Sequence, residues 1–158
     1  MNSVKYKMKL RLNDIREKHD LSQRKAAIKL GISKSYYNYF ESGERIIPLP
    51  RLNDFANLFH VDFDYALGLT EHNIVTKELK ELDKKLIGTR IKEIRKKNKL
   101  TQSALANLLH TSQSTISSYE KGKTIILTAF LYEMCVRLNV SMNYMVGKTN
   151  TLKTIIKS

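Results

Sequence analysis

The side chains of this sequence that could do chemistry are mainly cations rather than nucleophiles. The four histidines, at positions 19, 60, 72 and 110, lack the spacing of metal ligands. The chain also has no glycine-rich phosphate loop, no His-Glu-x-x-His motif and no Ser/His/Asp arrangement. We therefore predict no enzyme activity, no metal and no cofactor. The sequence contains a basic run, formed by Lys92, Arg95, Lys96, Lys97 and Lys99. Such a run is typical of a solvated helix face or of contacts to phosphate groups.

The composition favours a polyanionic partner. The 158 residues include 28 Lys+Arg against 15 Asp+Glu, which gives a formal net charge of +13 and a pI near 9.8. This excess predicts binding to nucleic acid first and to an anionic membrane surface second. No apolar run approaches the roughly 20 residues of a bilayer-spanning helix, and the N-terminus lacks the apolar core of a secretory signal. The single cysteine, Cys135, fits a reducing compartment, so we expect a cytoplasmic protein with no membrane partner.

An internal repeat organises the chain. At a constant offset of 79 residues, 19 of the 61 positions in residues 10–70 are identical to their partners. We therefore predict a first domain at 1–70, a charged linker at 71–86, a second domain at 87–149 and a short tail at 150–158; the two domains are called the first and second copy below. The net charge is +4 for the first copy, zero for the linker and +9 for residues 87–158, so the second copy and the tail carry most of the attraction for an anion.

Each copy has the pattern of five short helices. Ser22 and Thr101 are suitable N-caps for a second helix, because a side-chain oxygen there can accept from the free N–H groups of the first turn. Gly43 and Gly122 suit the left-handed position that ends a third helix. Two short helices joined by a tight turn form a helix-turn-helix unit, and outside residues 4–12 no segment of either copy favours a sheet. The predicted fold class is all-α, with two tandem five-helix domains joined by a partly helical linker.

Two stretches carry a recognisable motif. LSQRKAAIKLGISKSYYNYFESG and LTQSALANLLHTSQSTISSYEKG share Leu-Ser/Thr-Gln, then Ala, then a turn with Ser, then an aromatic-Glu-x-Gly ending. Both resemble the Cro/lambda-repressor-like (XRE) helix-turn-helix family, and VDFDYALGLT and VSMNYMVGKT are similar to that family's last helix. The resemblance covers nearly all of residues 10–70 and 88–149. It implies that the third helix of a five-helix domain enters the major groove of double-stranded DNA.

The resemblance also implies roles for individual residues. Gln23 and Gln102 match a glutamine that contacts a backbone phosphate and braces the next helix. Glu41 and Glu120 are expected to form structural ion pairs with Arg16 and Arg95, respectively. The positions expected to face DNA are Lys34, Ser35, Tyr36 and Tyr39 in the first copy and Gln113, Ser114, Thr115 and Ser118 in the second. The lysines expected to contact phosphates are Lys96, Lys97, Lys99, Lys121 and Lys123.

The copies differ at the positions expected to face DNA. Tyr36 and Tyr39 stand where short polar groups are usual, and they suit thymine methyl groups, phosphates or a protein interface equally well. Gln113 of the second copy can bond an adenine edge through both amide atoms. Together with its greater basicity, this makes the second copy the better candidate for DNA binding.

Two segments have two interpretations each. Residues 4–12 alternate apolar with basic side chains, which taken alone is a strand pattern, whereas the repeat favours a helix from about residue 10. Residues 1–8 form either an arm whose lysines follow phosphates or a frayed tail. In the linker, Leu79, Leu82 and Leu86 are spaced for one helical face, with Thr76 as its cap. Such a helix would pack on its own domain or contribute to a dimer.

The leading functional hypothesis is a sequence-specific transcriptional regulator, expected to be a repressor, that uses the third helix of one or both copies. The alternative is a protein-interaction module on the same scaffold, such as an antirepressor or antitoxin-like partner, with one copy serving dimerisation. Two arrangements stay open: an intrachain pseudo-dimer, or one copy on DNA while the other forms a homodimer or docks a partner. No small-molecule ligand is evident.

Overall fold

The computed structural model describes residue 8, residues 10–74 and residues 76–152. Within these residues there are ten α-helices and no strand, which confirms the predicted pair of tandem helix-turn-helix domains. The first five helices are α1 (Leu12–Lys18), α2 (Gln23–Leu30), α3 (Lys34–Ser42), α4 (Leu49–Phe59) and α5 (Phe63–Ala66). The last five are α6 (Lys84–Lys97), α7 (Gln102–Leu109), α8 (Gln113–Glu120), α9 (Thr128–Leu138) and α10 (Met142–Met145). The predicted N-terminal arm, apart from Met8, lies outside the described residues.

Local capping places the helix ends where the sequence predicts them. Ser22 Oγ accepts from the Lys25 N–H at the start of α2, and Thr101 Oγ1 accepts from the Ala104 N–H at the start of α7. Gly43 and Gly122 have positive φ values of 82° and 68°, the left-handed region in which glycine has no Cβ penalty. These local signals position α3 and α8 against α2 and α7.

The buried apolar side chains of both copies belong to one core cluster. Tyr37 and Phe40 of α3 and Phe55 of α4 are buried in it, and in the second copy Ile116 and Tyr119 of α8 take the positions equivalent to Tyr37 and Phe40. The inward faces of α3 and α8 are therefore occupied by core residues, so only the outer faces are available to a ligand. Among the helices in the described residues, none is long and apolar enough to cross a bilayer.

The linker departs from the expected helix. Residues 76–83 are not helical, and α6 begins at Lys84, where Asp83 caps it by accepting from the N–H groups of Lys85 and Leu86. The expectation that Thr76 caps a helix carrying Leu79 and Leu82 is wrong. The physical reason is that the carbonyl of Leu79 is held by Nδ2 of Asn53 and Asn57 on α4, at 2.9 and 2.7 Å. A helical Leu79 carbonyl would instead be directed along its own helix.

α6 approaches α8 closely enough that backbone contacts backbone. A Cβ added at Gly88 would overlap the Tyr119 carbonyl oxygen and lie 2.9 Å from that of Glu120. A Cβ added at Gly122 would lie 2.9 Å from Lys85 Cα. Two glycines on opposite sides of this contact therefore let the first turns of α6 lie against the end of α8.

Candidate nucleic-acid interface

Three polar side chains form a hydrogen-bonded chain across the second helix-turn-helix. Gln113 Nε2 at the start of α8 donates to Gln102 Oε1 at 2.7 Å, and Gln102 Nε2 donates to Glu120 Oε2 at 2.7 Å. Because each amide is held by a neighbour, the outward-facing amide of Gln113 is oriented before any ligand arrives. Such preorganisation lowers the entropy lost on binding.

The first copy repeats the inner half of this chain and lacks the outer half. Gln23 Nε2 donates to Glu41 Oε2 at 2.8 Å and to Asn38 Oδ1 at 3.2 Å. Lys34 stands in place of Gln113, and it is exposed. The bracing of helix 3 by the glutamine is therefore common to both copies, whereas the oriented outer amide occurs in the second.

Buried ion pairs anchor both helix-turn-helix units to the first helix of their copy. Arg16 Nε donates to Glu41 Oε1 at 2.7 Å, and Arg95 makes the equivalent bond to Glu120. In both pairs Nη2 of the arginine adds a second contact to the carboxylate at 3.2 Å. Burial opposes ionisation of Glu41, but hydrogen bonds from Arg16, Tyr37 and Gln23 outweigh it, and the pKa of Glu41 lies below its usual value. This carboxylate therefore stays charged, and its role is structural.

The outer face of α8 presents short polar groups. Gln113 and Ser114 are exposed, while Thr115 and Ser118 are half-buried. The hydroxyls of Thr115 and Ser118 lie 2.8 and 3.1 Å from those of Ser112 and Thr124. A hydroxyl has one donor and two acceptor positions, so each can still bond a base edge or a phosphate oxygen.

The outer face of α3 is aromatic and partly engaged within its own copy. Tyr36 packs edge-on against Phe40, with ring centroids 4.6 Å apart, and Tyr39 lies under the Arg45 guanidinium at 4.6 Å. Lys34 and Ser35 are exposed, and both tyrosines are half-buried. The two rings are therefore held in fixed positions at the surface rather than extended into solvent.

The five lysines expected to contact phosphates are exposed at two places in the second copy. Lys96 and Lys97 end α6 and Lys99 follows it, whereas Lys121 and Lys123 follow α8. The first copy has Glu44 at the position equivalent to Lys123. Over the equivalent ranges 12–45 and 91–124 each copy has seven basic residues, against five acidic residues in the first copy and two in the second, so the net charge is +2 in the first range and +5 in the second.

A polar cluster between the copies was missed by sequence reasoning. Asp62 and Asp64 at the start of α5 bond Ser141 and Asn143 at the start of α10, and all four are at most 4% exposed. We call these four residues the inter-copy cluster. The available signal is that positions 62 and 141, and positions 64 and 143, are repeat partners that differ in charge.

Asp64 should make the stability of the protein depend on pH. Burial raises its pKa to about 6, although the hydroxyl of Ser141 and the N–H of Met142 bond the carboxylate and oppose the shift. Between about pH 4 and 6 the folded protein holds a proton that the unfolded chain has released, so the contribution of Asp64 to stability falls by about 1–3 kcal/mol as pH rises. The charge of Asp62 adds to the rise in the pKa of Asp64, and the charge of Asp64 adds to the effect of burial in raising the pKa of the Cys135 thiol.

Urea unfolding of the wild type and Asp64→Asn at pH 4, 5, 6 and 7 measures this effect. The free energy of unfolding of the wild type is expected to fall relative to that of the variant across this range. Glu41 titrates in both proteins and cancels in the difference. Two parallel pH curves would show that Asp64 has an ordinary pKa.

The comparisons with known proteins agree with this architecture. The helix-turn-helix family model matches the chain twice, over residues 12–65 and 91–145. Because the two matches cover more than half of the residues, the chain belongs to the helix-turn-helix family. This is a family of DNA-binding regulators and not of enzymes.

Individual relatives match one copy at a time. An uncharacterised HTH-type transcriptional regulator, YobD of Bacillus subtilis (strain 168), is 39% identical over 74 residues, which are 45% of this chain and 66% of that protein. The antitoxin PezA of Streptococcus pneumoniae serotype 4 is 33% identical over 70 residues, 44% of each chain. This chain thus spans less than two-thirds of either relative. A crystal structure of the P22 c2 repressor protein in complex with a synthetic operator is 31% identical, with a TM-score of 0.38, and the match covers 40% of this chain and 97% of that one.

Proposed function

We propose that the chain is a sequence-specific DNA-binding transcriptional regulator that inserts α8, and with it α3, into the major groove of double-stranded DNA. The observation that supports this most directly is the chain of hydrogen bonds from Gln113 through Gln102 to Glu120. It orients a base-reading amide on a braced helix whose outer face carries no apolar core residue. Repression is the expected direction of regulation.

Within the residues that the structure describes, the amide of Gln113 has an unused hydrogen-bond donor and an unused acceptor, which a bidentate bond to adenine requires. One hydrogen of Nε2 is used by Gln102, which leaves one N–H and the Oε1 acceptor for a base. An adenine presents N7 as an acceptor and N6 as a donor in the major groove, and a bidentate bond of this kind contributes about 1–3 kcal/mol of discrimination. Ser114, Thr115 and Ser118 would contact neighbouring base edges or phosphates.

The exposed lysines would supply affinity without sequence information. Lys96, Lys97 and Lys99 lie at the end of α6, and Lys121 and Lys123 lie at the end of α8. Contacts to phosphates position a protein on the duplex, and each neutralised phosphate adds about one unit to the slope of log K against log salt. The lysine contacts should therefore be recognised by their salt dependence and not by a change in preferred sequence.

A random-library selection of duplex DNA with the full chain tests the proposal. On the selected duplex, Gln113→Ala is expected to weaken binding about 10- to 100-fold, because an adenine-reading bond is lost. The triple substitution of Lys96, Lys97 and Lys99 by Gln is expected to reduce the salt slope by about three units with the same sequence preference. The matched controls are Glu81→Ala and Lys80→Gln, two exposed residues of the linker. A selection that yields no duplex above nonspecific binding at moderate salt would contradict the proposal.

A protein-interaction role for the first copy is the second candidate. Ile28 on the outer side of α2 is 70% exposed, and α3 carries the two surface tyrosines Tyr36 and Tyr39. Aromatic residues are enriched in protein interfaces. If α3 serves a protein partner, the Tyr36→Ala/Tyr39→Ala protein will bind the selected duplex as tightly as the wild type; if α3 reads DNA, it will bind more weakly.

A further inference from the structure

The hydrogen bonds between the two copies are reciprocal. The Phe63 N–H donates to Asn143 Oδ1 at 2.8 Å, and the Met142 N–H donates to Asp64 Oδ1 at 2.7 Å. Phe63 and Met142 are repeat partners, and so are Asp64 and Asn143. Exchanging the copies therefore converts the first bond into the second, which is the mark of an isologous interface.

The side-chain bonds of the inter-copy cluster follow the same rule. Asn143 Nδ2 donates to Asp62 Oδ1 at 3.1 Å, and Ser141 Oγ donates to Asp64 Oδ2 at 2.5 Å. Exchanging the copies relates these two pairs of positions as well, 143 with 62 and 64 with 141, although the second copy supplies the donor in both bonds. A fifth bond, from Asn143 Nδ2 to Asp64 Oδ2 at 2.8 Å, joins one repeat partner to the other. The pseudo-two-fold axis that relates the copies therefore passes between Asp64 and Asn143.

Further contacts hold the copies together around this axis. Thr128 Oγ1 at the start of α9 donates to the buried carbonyl of Ile47 at 2.6 Å. The buried Lys148 places its ammonium 5.5 Å from the centre of the Phe63 ring, and the Lys77 N–H of the linker donates to the Lys148 carbonyl at 3.1 Å. An interface with hydrogen bonds and buried side chains on several elements resists rotation of one copy against the other.

The charges of the cluster favour pairing within one chain. The first copy contributes two carboxylates, and the second contributes a hydroxyl and an amide that donate to them. Two first copies facing each other would bring Asp62 and Asp64 against the same residues of another chain, and uncompensated buried carboxylates are strongly unfavourable. The complementary surface is already present in the same chain, where covalent linkage raises its effective concentration.

We propose that the inter-copy cluster fixes the separation and orientation of α3 and α8, so that one chain binds an operator of two unlike half-sites at a single spacing. This rests on the proposed DNA-binding function. Asp64 and Asn143 are positioning residues, because they act through the placement of the recognition helices and do not contact DNA. The half-sites are unlike because equivalent outer positions carry Lys34 and Gln113, and Tyr39 and Ser118.

A spacing series on the full chain tests this arrangement. The selected operator is resynthesised with zero to six base pairs added or removed between its half-sites, and a probe with one half-site serves as reference. The wild type is expected to prefer one spacing, and Asn143→Asp is expected to lose that preference because three carboxylates then meet at the axis. At the preferred spacing its affinity should fall about tenfold or more, since the second contact loses its effective concentration, while binding to the single half-site stays within about twofold.

A charge exchange and a measurement without DNA complete the test. Asp64→Asn/Asn143→Asp restores one amide and one carboxylate at the axis and is expected to recover the spacing preference. Limited proteolysis of the linker should be faster in Asn143→Asp than in the wild type, with helical content unchanged. An Asn143→Asp protein that keeps the wild-type spacing preference, or a wild type that binds duplex with no such preference, would overturn this proposal alone. A wild type that binds no duplex would overturn the proposed function as well.

Discussion

Gly88→Ala is expected to destabilise the second copy by about 2–4 kcal/mol and to weaken DNA binding with it. The added Cβ would overlap the Tyr119 carbonyl and crowd that of Glu120, and both atoms belong to the backbone of α8, which has no rotamer to move. Forcing atoms into a packed contact typically costs about 1–3 kcal/mol, and more where backbone must shift. Because α8 carries the proposed base-reading residues, its displacement should also disturb the amide of Gln113.

The sign of the change in stability distinguishes a packing clash from an effect of helix propensity, because the two causes change stability in opposite directions. Gly88 lies inside α6, where replacing glycine by alanine ordinarily stabilises a helix by about 0.8–1.0 kcal/mol. Thr89→Ala, at the adjacent and exposed position of the same helix, is the control and should leave stability nearly unchanged. Chemical unfolding and binding to the selected duplex are measured together. A Gly88→Ala protein as stable as the wild type would show that α6 and α8 do not approach as closely as described.

Arg95→Met is expected to cost about 3–5 kcal/mol of stability, and Arg16→Met distinctly less. Removing one partner of a buried ion pair leaves an uncompensated charge, and this is the source of the large cost. Within the described part of the chain, Glu120 would keep only the bond from Gln102, whereas Glu41 would keep bonds from Gln23 at 2.8 Å and from the Tyr37 hydroxyl at 2.6 Å. Each retained bond to a charged group contributes about 1.5–3 kcal/mol.

The difference between the two copies is the informative quantity. The arginines themselves are equally buried, with side chains 10% exposed in both, so desolvation does not distinguish them. Urea unfolding of both variants, with the exposed Lys92→Met on α6 as control, gives the two losses. Equal losses, or a larger loss for Arg16→Met, would mean that Tyr37 does not support the charge of Glu41.

Much of the fold follows from short stretches of sequence. Ser22, Thr101, Gly43 and Gly122 act within one or two turns, so their effect on helix ends can be predicted without knowing the tertiary structure. The repeat adds a second, independent copy of each signal, and agreement between the copies identifies the helix-turn-helix units. The sequence predicts the linker less well, because the conformation at Leu79 is set by the hydrogen bonds that its carbonyl accepts from α4 and not by the local spacing of leucines.

The proposed DNA-facing residues follow from the motif, but their arrangement does not. The types of Gln102, Gln113 and Glu120 can be found from the sequence; that they form one hydrogen-bonded chain depends on how α7 and α8 cross. The lysines differ in this respect, because both their number and their grouping follow from the sequence, where Lys96, Lys97 and Lys99 end α6 and Lys121 and Lys123 follow α8.

The sequence by itself determined that this protein is two helix-turn-helix units with a more basic second copy, because caps, helical periodicity and charge act over a few residues. The tertiary structure alone decided that the copies meet at Asp64 and Asn143 and that α6 lies against α8 at Gly88. Read locally, Asp64 and Asn143 are ordinary residues for the first turn of a short helix, and Gly88 is an ordinary helix residue. Their types therefore give no sign of these contacts. A contact with a residue tens of positions away in the chain depends on the placement of whole helices, which no short window of sequence contains.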